Sequence, residues 1–211
     1  MHLSREMGRF EVVDLLSRRG DRKRSSKGNC DQTMNEDIAK LAIELEADDP
    51  AERSRAATFA GNHGVDATIL LPRLLEMVCR NLVLESAANR CGEYVSLGRI
   101  LRAIQELKNQ QLATDEMIRL SDHCTSTVAS LLETASGARA SLLIHILALS
   151  GPQAKHAASI VSRVALRLED QRINHRAYQF ACSVCPEFEL TPPWCDFAPD
   201  TPEERKKWGA L

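Results

Sequence analysis

The chain has 211 residues, 44% hydrophobic and 27% charged, a length that buries an adequate core without disulfides or a metal. Aromatics make up only 4%, so the core must be built from Leu, Ile, Val and Ala, which suits helix-on-helix packing better than a sandwich of aromatic-rich strands. Twenty-seven basic residues against 29 acidic give a net charge of −2, which excludes a global basic field for capturing nucleic acid or an anionic membrane.

The first 33 residues carry eight basic against five acidic side chains, so the start of the chain is basic and the remainder acidic. Residues 20–33 hold two glycines and no large aliphatic side chain. They cannot add to a core, and residues 1–34 are expected to form a flexible basic arm. An alternative is that translation begins at Met34. The opening residues interleave Arg and Glu with a few apolar side chains, unlike a secretory leader. Cysteines at 30, 79, 91, 124, 182, 185 and 195 are odd in number and lie mostly in apolar segments, so they read as small buried hydrophobes in a reducing compartment. The longest strongly apolar run, Leu142–Leu149, is broken by His145 and is under half of the roughly 20 residues a membrane helix needs. A cytoplasmic protein is expected.

From Asn35 onward helical periodicity dominates. Ile38, Leu41, Ala42 and Leu45 share one face of a helix that Asn35 can cap. Asp49, Pro50 and Glu52 then provide an N-cap, a first-turn proline and a capping-box partner for a helix running to Gly61. Leu74, Leu75, Val78 and Leu82 mark the next helix, Ala87, Ala88, Cys91 and Tyr94 another, and Leu97, Ile100, Leu101 and Ile104 a further face. Thr114 with Asp115 and Glu116 suits a helix start, Gly137 a break, and Gly151-Pro152 a stop and restart. Ala157 to Leu168 and Ile173 to Val184 complete the series, and no stretch alternates apolar and polar as a strand requires. The expected fold class is all-α. Residues 186–211 change character: a Pro-rich stretch carries Trp194 and Phe197, and Thr201-Pro202-Glu203-Glu204 can open a short capping helix through Trp208.

Self-similarity adds a more specific expectation. The segment Asp48 to Gly64, with Asp49-Pro50, Arg53, the small pair Ala56-Ala57 and Gly61, resembles the second helix of a HEAT repeat, and Ile38 to Glu46 resembles the matching first helix. Related shapes recur at Leu84–Gly92, Ala138–Gly151 and Asp170–Ser183, although the second lacks the Asp-Pro and the last lacks the glycine. The resemblance covers residues 35–185. It implies a right-handed α-solenoid of about four to five helix pairs, in which each hairpin buries its face only against its neighbours.

Candidate chemistry is sparse. Cys182, Cys185, Cys195 and His175 are the only cluster of metal-ligand types, but no second C-x2-C accompanies them and the spacing does not suit a zinc knuckle. No metal, cofactor or catalytic set is expected, since H-E-x-x-H, G-x-S-x-G and phosphate-cradling glycine loops are all missing from the sequence. On the solenoid reading, Arg53, Arg55, Arg90, Arg139, Arg172 and Arg176 would line one surface as a partner-binding ridge. The acidic body favours a protein partner over nucleic acid or membrane, so a non-catalytic scaffold or adaptor is expected. A nucleic-acid-binding or DNA-repair-type enzyme on a HEAT-like scaffold is the alternative.

Overall fold

The computed structural model describes residues 28–80, 92–184 and 192–197, with residues 28–35 described by backbone alone. Every regular element among them is helical, so the fold is all-α. None of the described helices is long and apolar enough to cross a membrane. The chain divides into two units, Met1–Lys40 and Leu41–Leu211. In the first, residues 28–40 belong to helix α1 (Gly28–Glu44), and Ile38 is buried. That helix already includes Gly28, ahead of the expected start at Asn35, so the end of the expected arm is helical. No proline lies between the two positions to stop the helix from extending, and periodicity of apolar residues registers only the turns that carry them. Residues 1–27 lie outside the described residues.

In the second unit α1 ends at Glu44, and α2 (Pro50–Ala60) starts where expected. Asp49 is extended and its carboxylate accepts from the Ala51 N–H at 2.9 Å, with Pro50 in the first turn where its missing N–H is harmless. Glu52 does not close the capping box. It faces Arg55 at 3.9 Å, and Arg53 takes over that end by donating to the carbonyls of Ala47 and Asp48. A 3-10 segment (Gly61–Leu70) leads into α3 (Leu71–Arg80). Helix α4 (Gly92–Asn109) carries both Tyr94 and Leu97, which the periodicity assigns to separate helices, so they belong to one continuous element. Gly92 allows a close approach: a Cβ at this position would lie 2.2 Å from the Thr58 hydroxyl of α2. Residues 81–91 lie outside the described residues.

Helix α5 (Asp115–Thr134) is capped by Thr114, whose hydroxyl accepts from Met117 N–H at 3.2 Å. Helix α6 (Gly137–Ser150) stops at Gly151, whose φ of 68° suits glycine and whose N–H closes onto Ala148 O. A 3-10 segment (Gly151–Ala157) carries Pro152 and leads into α7 (Ala158–Leu168), followed by α8 (Gln171–Val184). Asp170 caps α8 by accepting from Arg172 N–H at 2.8 Å.

These helices pack in two rows. Helices α2, α4, α6 and α8 contact one another in series, most extensively α4 with α6 and α6 with α8, while α3, α5 and α7 form the second row. Sequential helices α3–α4, α5–α6 and α7–α8 join the rows. Tyr94, Leu97, Ile100, Leu101, Ile104, Leu143, Ile144 and Phe180 are fully buried where the rows meet, an aliphatic core of the composition expected. Small residues set the spacing: Gly98 of α4 lies against Leu149 of α6, and Gly61 N–H donates to Ser96 Oγ at 3.1 Å. Beyond α8, Trp194 and Phe197 are buried, with ring centroids 5.9 Å apart, and Trp194 lies 6.1 Å from the Phe180 ring. The expected Trp208 helix lies outside the described residues.

Candidate functional site

Three helices of one row, α4, α6 and α8, leave a groove of about 850 Å³ between them. Helix α4 presents Arg102, Gln105 and Glu106 to it, α6 presents His145, and α8 presents Arg176 and Gln179. Helical spacing explains the alignment, because residues three and four apart share a face. Arg102 and Glu106 pair with each other at 3.1 Å near the exposed rim.

Deeper in, the half-buried Arg176 points Nη1 at two neutral acceptors, Gln179 Oε1 at 2.8 Å and His145 Nδ1 at 3.2 Å. Arginine has no acceptor, so His145 Nδ1 must accept and the imidazole proton sits on Nε2. Burial pulls the His145 pKa down to about 4, and the Arg176 charge adds to the effect. The buried His175 is lowered in the same order, by burial and then by Arg176. Both rings are therefore neutral at neutral pH. Arg176 is itself lowered by burial, and no carboxylate offsets that among the described residues.

The predicted arginines do not form one ridge. Arg53 is spent on the carbonyls before α2, and Arg139 reaches across to the last turn of α3, where it donates to Cys79 O at 3.2 Å and to Val78 O at 3.5 Å. Arg55 and Arg172 are exposed, and Arg90 lies outside the described residues. Of the five that are described, only Arg176 lines the groove. The polar partners His145, Gln179 and Gln105 were not singled out from the sequence. The available signal was His145 interrupting the most apolar helix, together with the i, i+3 pairing of Arg176 and Gln179.

No group of three or more His, Cys, Asp or Glu side chains placed to hold a metal occurs among the described residues, which do not include Cys185. Cys182 is half-buried on α8, while Cys195 is exposed and its thiol lies 3.6 Å from Asp196 Oδ1. Burial, with Cys79 nearby, pushes the Cys124 thiol up to about 12, and burial also raises Cys79. Both are protonated at neutral pH and are poor nucleophiles. What the groove can do chemically is hold a hydrogen-bonding or charged segment against a fixed guanidinium. No family model, no curated protein and no solved structure matches the chain.

Proposed function

We propose that this chain is a non-catalytic HEAT-like repeat scaffold that binds a protein partner along the groove of α4, α6 and α8. The observation that carries the reading is the serial packing of α2, α4, α6 and α8 with a groove open along three of them. In a right-handed solenoid of helix pairs, the second helices of successive pairs line one continuous face suited to an extended segment. A recurring contact supports the repeat reading. Arg73 of α3 donates to Leu45 O beyond α1, Arg139 of α6 to the end of α3, and Arg167 of α7 to Glu133 O and Ala135 O at the end of α5. The ends of α1, α3 and α5 are thus each tied by an arginine of a later helix. The net negative charge favours a protein partner, in a cytoplasmic setting, over nucleic acid.

A photo-crosslinking residue placed in the full chain at Gln105 or Ser183, with Arg163 of α7 as the comparison site, tests this in cells of the source organism. The expected result is a discrete protein adduct from the two groove positions that survives nuclease treatment. Adducts only at position 163, or adducts lost with nuclease, would overturn it. The second outcome would favour a nucleic-acid-binding or DNA-repair-type enzyme on the same scaffold.

A further inference from the structure

We infer that Arg176 is the specificity point of the groove and takes a single carboxylate, the side chain of an Asp or Glu on the partner's segment; this rests on the groove being the binding face. Charges buried in proteins are as a rule paired, because removing a guanidinium from water is costly unless an anion or a full set of acceptors replaces the solvent. Arg176 is half-buried and bonds only through Nη1, to a neutral imidazole and a neutral amide. Those two bonds use both Nη1 hydrogens and fix the plane of the group. They leave the Nε and Nη2 edge, the side of the fork that matches a carboxylate in bidentate fashion.

Every other arginine with a described role is already engaged. Arg53, Arg73, Arg139 and Arg167 hold carbonyls, and Arg102 pairs with Glu106. Arg53 and Arg139 are also half-buried with neutral carbonyl partners, but neither lines the groove; of the two groove arginines, Arg102 has its carboxylate and Arg176 has only neutral partners. The charge count selects the ligand. One unpaired guanidinium between two neutral histidines complements a monoanion, whereas a phosphate dianion would remain under-neutralised in a half-closed groove. Burial lowers the pKa of both imidazoles, and the Arg176 charge adds to that in each case.

The test uses the full chain labelled with ¹⁵N at arginine, following the Arg176 Nε–H signal. Titrants are the capped tripeptide Ac-Gly-Glu-Gly-amide, its Gln counterpart, and inorganic phosphate, all at constant ionic strength. The Glu peptide is expected to shift the Arg176 signal saturably and at least about tenfold more tightly than the Gln peptide or phosphate, with Arg102 unaffected. Arg176→Lys, which keeps the charge and loses the fork, is expected to weaken Glu-peptide binding about tenfold, measured on the backbone amides of α8. Equal response to the Glu and Gln peptides, tighter binding of phosphate, or no response of Arg176 would each overturn the inference. The crosslinking variants separate this from the scaffold reading. An adduct at Gln105 that persists unchanged when Arg176→Gln is added overturns the carboxylate assignment and leaves the scaffold intact, whereas no groove adduct in the unsubstituted chain removes both.

Discussion

At the residue scale, Glu93 shows two opposing electrostatic effects at one atom. It lies in the first turn of α4, where the helix dipole favours a negative charge by about 0.3–1 kcal/mol. It is also 1% exposed, and its Oε1 has no hydrogen-bond partner, a condition that costs about 1–3 kcal/mol. Burial is the larger effect and raises the carboxyl pKa above its usual 4.5, with the residue's own backbone N–H opposing it. A raised pKa in the folded state means that the contribution of the neutral acid is complete below the ordinary carboxyl range and is lost as pH rises through the folded value. Glu93→Gln cannot ionise. Urea denaturation is expected to show it more stable than the unsubstituted chain at neutral pH by about 1–3 kcal/mol, a gain that vanishes below about pH 4. Lower stability at every pH would show that the carboxylate makes a favourable contact. The acid itself drew no notice in the sequence, because nothing around Glu93 signals its burial until the packing of α2 on α4 is known.

At the element scale, helix beginnings were more legible than arginine roles. Asp49 and Thr114 cap where their sequence context indicated, since an N-cap bonds within a few residues of itself and local sequence contains both partners. Gly151 ends its helix for a similarly local reason, its positive φ, whereas the small size of Gly61 and Gly92 serves contacts with Ser96 and Thr58 in other helices. Arginine is worse still to read locally. Its long stem lets Arg139 reach backbone about 60 residues away in sequence, which no periodicity reports. Such bonds to helix ends have a measurable consequence. Arg167 Nη1 lies 2.7 Å from Glu133 O and Nη2 2.9 Å from Ala135 O, so Arg167→Gln should release the carbonyls at the end of α5. The expected loss is about 1–2 kcal/mol, at the lower end for bonds to a charged donor because the side chain is exposed. A urea midpoint unchanged within error would mean that water replaces the arginine without penalty.

At the scale of the whole molecule, the all-helical class followed from composition, while the connection between helices depends on contacts far apart in sequence. A stacked array and a cooperative bundle make different demands on how damage spreads. In a stack each pair contacts only its neighbours, so stability is nearly a sum of local terms, and a lesion at one end decays along the row. Trp194 is the place to make that lesion, since it is 6% exposed and covers Phe180 at the outer end of the α2–α4–α6–α8 row. Trp194→Ala removes a buried ring of a class whose loss costs about 3–5 kcal/mol. Native-state hydrogen exchange on a stacked array is expected to show large loss of protection in α8, a smaller loss in α6, and little change in α2 and the first turns of α4. A uniform loss from α2 to α8 would identify one cooperative bundle, and the groove would then be a surface feature of that bundle instead of the repeating face of a scaffold.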